Sequence, residues 1–131
     1  CSIIIRTKNE ERWISSCLSA VYDQTYTNIE VIIVDNNSTD KTLDNIKSFP
    51  VNKILNISEY LPGKSLNIGI KQATGKYIVC LSGHCIPVNN QWLESLVNTI
   101  EESVIKILNT KKLLNSDVIE KMVIKNLRKK N

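Results

Sequence analysis

The sequence predicts an α/β fold: a three-layer, open and mostly parallel sheet with helices on both faces. Short β-branched runs alternate with segments whose apolar residues recur at helical spacing, and this alternation is typical of βαβ units. The strand runs are apolar almost throughout, as expected when helices cover both faces of a parallel sheet. The carboxyl ends of such strands meet at one edge, where ligands of open α/β sheets bind.

The first strand is predicted over residues 2–6, which form a short β-branched run. Asn9 is predicted to cap the first helix, because it precedes apolar residues at helical spacing. Those apolar residues are Trp13, Ile14, Cys17, Leu18, Val21 and Tyr22.

The second strand is predicted over residues 30–34. Asn37 or Ser38 is predicted to cap a helix over residues 39–48, because both residue types accept hydrogen bonds from helix N–H groups. This helix must end before Pro50, since the residue before a proline avoids the helical conformation.

The rest of the chain up to residue 104 continues the alternation. It contains a strand over residues 51–57, a helix after Pro62 that ends at Gly75, a strand over residues 77–81, and a long helix capped by Asn89. Beyond residues 100–102 there is no strand signal, and a last helix is predicted over residues 117–129. We therefore expect an α/β domain over residues 1–100 and a C-terminal helical segment of the same domain over residues 101–131.

Composition limits the class of protein. The chain has 131 residues, of which 42% are hydrophobic and 23% charged, which is typical of a soluble globular domain. No run of 18 or more apolar residues is present, so a membrane span is not expected. The four cysteines lack the spacing of a metal or disulfide framework, which favours a reducing, cytoplasmic location.

Basic residues are concentrated near the C-terminal end of the sequence, within a net charge of +4. This basic segment predicts either a solvated helix face or contact with an anionic membrane surface. Aromatic residues are few and are not interleaved with it, so a nucleic-acid partner is not expected. The basic residues are Lys111, Lys112, Lys121, Lys125, Arg128, Lys129 and Lys130.

Residues 31–42 carry the strongest local signal in the chain. An apolar run ends in Asp35, a short polar turn follows, and Asp40 lies in the expected first turn of the next helix. Asp40 suits a structural role there, because a carboxylate is stabilised by the dipole at a helix N-terminus. Asp35 lies where a strand stops and a ligand would begin.

Four stretches of the chain resemble, in order, motifs of the family 2 glycosyltransferases, which are inverting enzymes with a GT-A fold. They are residues 2–10, similar to the family's opening strand and loop; residues 34–42, similar to V-D-D-G-S-T-D-x-T; residues 63–70 and 73–75, similar to G-x-x-x-A-R-N-x-G-I and A-x-G; and residues 77–84, where the family has a strand ending in Asp-x-Asp. The resemblance implies a GT-A fold of the nucleotide-diphospho-sugar transferase type, with residues 1–100 binding the nucleotide sugar.

The activity implied by the resemblance is transfer of a sugar from a UDP- or dTDP-type donor to a glycan or lipid-linked acceptor, as in the biosynthesis of bacterial surface polysaccharides. It also implies a cytoplasmic location, at the inner face of the membrane if the basic segment binds lipid. The chain is short for the whole enzyme, so we expect a truncated fold and assign no catalytic base.

One alternative is a non-catalytic nucleotide-sugar-binding module that lacks the acceptor half. Another is an unrelated doubly wound module of the flavodoxin type, although the acidic pair expected near the first strand is absent.

The resemblance also implies five donor-binding residues. Asp35 would accept a hydrogen bond from the imide N–H of uracil or thymine, since an ionised carboxylate only accepts. Thr7 would lie beside the nucleobase and Ser82 near the ribose. Lys64 would supply a cation to the nucleotide, because Leu66 replaces the arginine of the family's A-R-N. The fifth residue is His84.

His84 is the only histidine of the chain and stands where the family has the second aspartate of Asp-x-Asp. The resemblance therefore implies that it binds a divalent metal, Mn²⁺ or Mg²⁺, or contacts the diphosphate directly. Imidazole suits Mn²⁺ better than Mg²⁺, which prefers oxygen ligands. A zinc site with Cys80 and Cys85 is disfavoured, because it lacks a fourth ligand and Cys80 is expected to point into the core. A Cys85–His84 nucleophile pair is disfavoured because adjacent side chains rarely reach each other.

Overall fold

The computed structural model describes residues 1–59 and 61–111. Strands and helices alternate through this part of the chain, which confirms the predicted α/β class. They are β1 (Ser2–Thr7), α1 (Ile14–Tyr22), β2 (Glu30–Asp35), α2 (Thr42–Ile46), β3 (Lys53–Asn56), α3 (Pro62–Gln72), β4 (Ile78–Ser82) and α4 (Trp92–Lys111). The predicted last helix, over residues 117–129, lies outside the described residues, as does all of the basic segment after Lys111.

The four strands form one parallel sheet in the order β3-β2-β1-β4. At the carboxyl end of β1, Thr7 lies opposite Asp35 of β2, and Arg6 lies opposite Ser82 of β4. Asp35 is in turn opposite Asn56 of β3. The register therefore brings the ends of the two central strands and β4 to one edge of the sheet.

Both faces of the two central strands are buried. Alternate residues of β1 and β2, among them Ile3, Ile5 and Ile33, pack with α1 on one face. On the other face, Ile4 and Ile32 pack against partly buried side chains of α3. All five isoleucines are 0% exposed, and burial stabilises each by about 1.5–3 kcal/mol. This arrangement confirms the predicted three layers.

The compact units of the chain are divided after Glu94, within α4. The first unit, Cys1–Glu94, contains the whole sheet and helices α1–α3. The described part of the second unit is the remainder of α4, a continuous helix to Lys111. The predicted division of the chain near residue 100 stays a prediction.

The predicted caps of α1 and α2 were wrong, whereas Asn89 as the cap of α4 stays a prediction. Asn9 does not cap α1, which begins after Trp13 without a side-chain cap; its Oδ1 atom instead accepts from Thr39 N at 2.8 Å. Neither Asn37 nor Ser38 caps α2, whose N-cap is Lys41 and which is limited to Thr42–Ile46. The cause is tertiary: adjacent parallel strands bring the loops after β1 and β2 together, and hydrogen bonds between and within these loops use the side chains of Asn9 and Ser38.

The role predicted for Gly75 was also wrong. Helix α3 ends at Gln72 with Ala73 as its C-cap, and no glycine in the described ranges has a positive φ. Glycine is required at position 75 because the backbone there passes close to Ser2. A Cβ at this position would lie 2.6 Å from Ser2 N, while Gly75 N donates to Ser2 Oγ at 2.8 Å. The segment before β4 is therefore held against the start of β1.

Glu30, at the start of β2, predicts a pH dependence of stability. Its Oε2 accepts from Ser2 Oγ at 2.5 Å and from Thr74 N at 2.9 Å, and these bonds lower the pKa of Glu30 in the folded protein. A carboxyl group whose folded-state pKa is lowered stabilises the fold above its unfolded pKa, about 4.3, and this stability is lost as the pH falls through the folded-state value.

We therefore expect Glu30→Gln to be less stable than the wild type at pH 7, with the difference shrinking below about pH 4. Urea unfolding between pH 7 and 3 measures this difference. Glu102→Gln, at an exposed position of α4, is the control and should follow the wild-type profile. A stability difference that stays constant down to pH 3 would contradict the assignment.

Candidate functional site

A small cleft lies at the carboxyl ends of β1 and β4. It has a volume of about 80 Å³ and is lined by Arg6, Thr7, Lys8, Glu10, Ser82 and His84; we call it the β1–β4 cleft. Ligand pockets usually measure about 300 Å³ or more, so this cleft would hold one group of a larger ligand. Three predicted site residues, Thr7, Ser82 and His84, are among its lining residues.

Asp35 lies next to these residues but does not line the β1–β4 cleft. Its side chain is 0% exposed, and its carboxylate accepts from Thr7 Oγ1 at 2.9 Å, Ser38 N at 2.9 Å and Ser38 Oγ at 2.5 Å. A carboxylate has about four acceptor sites, so these bonds leave one. For a nucleobase to reach it, the hydroxyl of Ser38 or Thr7 must rotate aside. The role of Asp35 in base recognition stays a prediction.

The loops after β1 and β2 are joined by a network of hydrogen bonds. Asn9 N donates to Ser38 Oγ at 2.9 Å, Glu11 N donates to Asp40 Oδ2 at 3.1 Å, and Glu11 Oε2 accepts from Lys41 N at 3.0 Å. Asp40 also accepts from Thr42 N at 2.9 Å. Desolvation opposes ionisation of Asp40, but the hydrogen bonds from Thr42 and Glu11 N lower its pKa. Asp40 thus has a structural role, but not in the first turn of α2, which begins at Thr42 after the N-cap Lys41. Its bonds instead join the two loops to each other and to the start of α2.

His84 is held by Glu10, a residue that the sequence analysis did not single out. His84 Nδ1 lies 2.7 Å from Glu10 Oε1 and 3.5 Å from Ser82 Oγ. The Glu10 side chain is 17% exposed and that of His84 is 54% exposed, so the pair joins a nearly buried carboxylate to an accessible imidazole. The sequence feature that could have identified Glu10 as a site residue is its position in the opening motif, residues 2–10.

Gly83 allows this pairing by its lack of a side chain. A Cβ at Gly83 would lie 3.0 Å from Thr7 Cγ2 and 3.1 Å from Glu10 Cγ, which is closer than ordinary packing contacts. Gly83 N donates to Arg6 O at 2.9 Å and so keeps the chain next to β1. The glycine therefore lets the turn after β4 lie against Glu10 and places His84 beside it.

Lys64, the fifth predicted residue, is not brought to the β1–β4 cleft. It lies in the first turn of α3, and its Nζ contacts Glu59 Oε2 at 3.2 Å. Both side chains of this ion pair are largely exposed, at 57% and 73%, so the pair contributes at most about 1 kcal/mol. The role of Lys64 in nucleotide binding stays a prediction.

The cysteines are placed differently from the expectation. Cys80 is exposed, so the prediction that it points into the core was wrong: it lies on edge strand β4 opposite Ile4, and α3 packs on β1 and β2 at that face. Cys17 is buried, and desolvation, with smaller contributions from the charges of Cys85 and Glu10, raises its pKa to about 12. Cys17 is thus a protonated thiol at neutral pH rather than a nucleophile.

Metal-ligating groups are sparse. Within residues 1–59 and 61–111, no three or more His, Cys, Asp or Glu side chains form a group that could hold a metal ion. In the β1–β4 cleft, the possible protein ligands are the His84 imidazole, the Glu10 carboxylate that it contacts and the Ser82 hydroxyl. In the same described ranges, no helix combines the length and apolar character needed to cross a membrane.

Comparison with known proteins identifies a family. The family whose sequence model matches is described as Glycosyl transferase family 2, and the match covers residues 2–111. One similar protein, from Methanococcus voltae, is 37% identical over 76% of this chain and 33% of its own length. It is named dolichyl N-acetyl-alpha-D-glucosaminyl phosphate 3-beta-D-2,3-diacetamido-2,3-dideoxy-beta-D-glucuronosyltransferase. The chain spans about a third of the length of this relative.

Two solved structures extend the comparison. TarS 1-349 of S. aureus in complex with UDP-GlcNAc has 29% sequence identity and a TM-score of 0.69, over 77% of this chain and 31% of that chain. The mannosyltransferase PcManGT of Pyrobaculum calidifontis, in complex with GDP-Man and Mn²⁺, has 25% identity and a TM-score of 0.63, over 69% and 29% of the two chains. These likenesses confirm the predicted GT-A fold.

Proposed function

Because this chain belongs to glycosyl transferase family 2, we propose that it binds a nucleoside diphosphate sugar of the UDP or dTDP type and transfers the sugar to a glycan or lipid-linked acceptor. The observation that carries the proposal is the sheet register, which brings Thr7, Asp35 and Ser82 to one edge beside His84. The UDP-GlcNAc complex of TarS and the dolichyl-phosphate name of the M. voltae protein support the donor and acceptor classes.

In this proposal each residue has a distinct task in donor binding. Asp35 accepts the imide N–H of the pyrimidine after the Ser38 hydroxyl has rotated aside, and Thr7 keeps the carboxylate oriented. Ser82, at the end of β4, is placed for the ribose. Arg6 and Lys8 give the β1–β4 cleft a positive charge that suits a diphosphate. Holding the donor in this way would orient its anomeric carbon toward the acceptor.

A divalent metal could be held at the β1–β4 cleft only together with the diphosphate of the donor, because His84 is the one protein ligand proposed for it there. His84 is the residue that would hold it, with the diphosphate oxygens of the donor completing the coordination. A mixed nitrogen and oxygen set suits Mn²⁺ better than Mg²⁺, and the Mn²⁺ complex of PcManGT supports this preference. When bound, the metal would supply Lewis-acid stabilisation of the leaving diphosphate.

A second candidate function is a nucleotide-sugar-binding module without catalysis. The two differ in whether sugar is transferred, and an assay of transfer or donor hydrolysis with a panel of UDP- and dTDP-linked sugars separates them. Family membership removes the flavodoxin-type alternative. The cytoplasmic location and the contact of the basic segment with a membrane surface remain part of the proposal.

Calorimetric titration with UDP, dTDP and CDP tests donor recognition. We expect UDP and dTDP to bind with similar affinity, because both carry the imide N–H that Asp35 accepts. CDP should bind at least tenfold more weakly, about 1.4 kcal/mol, since its N3 is an acceptor that faces the carboxylate. Equal affinities for UDP and CDP would contradict the assignment of Asp35 to the base.

The metal is tested by repeating the UDP titration with Mn²⁺. Mn²⁺ should strengthen UDP binding to the wild type, and His84→Ala should remove this gain while leaving the metal-free affinity nearly unchanged. Asp44→Ala, in an exposed i,i+3 ion pair with Lys47, is the control and should behave as the wild type. Retention of the Mn²⁺ effect in His84→Ala would rule out His84 as the metal ligand.

A further inference from the structure

We propose that Glu10 is a positioning residue that fixes the tautomer of His84, so that Nδ1 carries the proton and Nε2 presents its lone pair for a metal ion. This inference rests on the proposed donor site and assigns Glu10 a role in the same site. It concerns the state of the imidazole in the protein without nucleotide, which can be measured whether or not a donor binds.

The contact geometry determines which nitrogen is protonated. Glu10 Oε1 lies 2.7 Å from His84 Nδ1, and an ionised carboxylate can only accept, so Nδ1 must be the donor. In a neutral imidazole the other nitrogen is then the acceptor. Within the described part of the chain, Nε2 has no hydrogen-bonding partner, and the imidazole is half exposed at the β1–β4 cleft.

The Glu10 backbone is held by several hydrogen bonds, which makes the residue suitable for orienting the more exposed side chain of His84. Its backbone N donates to Thr42 Oγ1 at 2.7 Å, and its carbonyl accepts from Trp13 N and Ile14 N, both at 2.9 Å. Its side chain packs where a Cβ of Gly83 would otherwise lie. The backbone of Glu10 is therefore anchored to α1 and to the start of α2, and its side chain lies against the turn that carries His84.

The consequence concerns which ligand the imidazole can accept. A lone pair on Nε2 binds a cation and is repelled by a phosphate oxygen. Histidine ligands of metals usually donate their other N–H to a carboxylate, which sets the tautomer and raises the basicity of the ligating nitrogen. The Glu10–His84 pair would thus return a negative charge to a site that has lost both carboxylates of Asp-x-Asp.

The tautomer can be read directly, because His84 is the only histidine of the chain. In protein labelled with ¹⁵N-histidine, long-range ¹H–¹⁵N spectra give one spin system and identify the protonated nitrogen. At a pH where these shifts show a neutral ring, we expect the wild type to be protonated at Nδ1. Glu10→Ala should shift the ring toward protonation at Nε2. Glu11→Ala, which removes the neighbouring carboxylate that contacts Lys41, should keep the wild-type tautomer.

Two results would overturn the inference: an Nε2–H ring in the wild type, or an unchanged Nδ1–H ring in Glu10→Ala. The first needs no variant and holds even if Glu10→Ala does not fold. In the presence of UDP, Mn²⁺ affinity should fall about tenfold or more in Glu10→Ala, as for loss of other outer-sphere partners; an unchanged affinity would also contradict the inference. Failure of the wild type to bind UDP contradicts the proposed function instead, so the two failures are distinguishable.

Discussion

Replacement of Asp35 by alanine should weaken UDP binding at least tenfold, about 1.4 kcal/mol, and should lower the free energy of unfolding by about 3 kcal/mol. The loss of affinity follows if the carboxylate accepts the imide N–H of the base. The loss of stability follows because Asp35 is 0% exposed and accepts from Thr7 and twice from Ser38. Its removal leaves Ser38 N and Thr7 Oγ1 without their acceptor. Calorimetry with UDP and urea unfolding measure the two effects.

Loosening of the loop could also weaken binding, so the control must disturb the same loop. Asp40→Ala removes a carboxylate that accepts from Glu11 N, Thr42 N and Thr42 Oγ1. It should lower stability but change UDP affinity by less than about threefold. Equal losses of affinity in the two variants would assign the effect to loop structure rather than to base recognition. If Asp35→Ala does not fold, the comparison of UDP with CDP in the wild type tests the assignment without a variant, and equal affinities would discard it.

The strands of this fold could be predicted from the sequence because their physical signal is local. Runs such as residues 2–6 and 30–34 are β-branched and largely apolar, which is typical of parallel strands covered on both faces. The starts of α1 and α2 could not be predicted, because the side chains of Asn9 and Ser38 have two uses. They could cap a helix in their own loop or form bonds to other loop residues, and only the packed sheet brings those loops close enough for Asn9 to bond Ser38 and Thr39.

The candidate site was also predictable only in part: the residues at the strand ends could be grouped, but their side-chain contacts could not. Strand ends in a parallel sheet must share an edge, so Thr7, Asp35 and Ser82 could be grouped from their positions alone. The partner of His84 could not, because Glu10 is separated from it by 74 positions in the chain and their contact depends on the close approach at Gly83. The hydrogen bonds of Asp35 to the hydroxyls of Thr7 and Ser38 were also hidden, since Thr7 belongs to a different strand. Lys64 had a suitable charge, but its position on α3 pairs it with Glu59.

A second large effect is expected from Gly69→Ala, which should lower the free energy of unfolding by about 2 kcal/mol. A Cβ at Gly69 would overlap Ile4 Cγ2 and lie 3.0 Å from Val34 Cγ2, and both of these side chains are 0% exposed in the sheet. Overpacking of this kind typically costs about 1–3 kcal/mol and occasionally more. Alanine favours a helix over glycine by about 1 kcal/mol, so a net loss would show that packing against the sheet outweighs helix propensity.

Gly63→Ala is the matched control, because Gly63 lies in the same helix and a Cβ there would have nothing within 4 Å. This control should leave stability unchanged or raise it slightly. The source of the Gly69 effect is tested by a double-mutant cycle with Ile4→Ala, which removes the overlapped methyl group. Since Ile4→Ala alone creates a cavity that costs about 2–5 kcal/mol, the double variant should lose at least 1 kcal/mol less than the sum of the single losses. If the two losses add within about 0.5 kcal/mol, overlap with Ile4 is not the source of the Gly69→Ala effect.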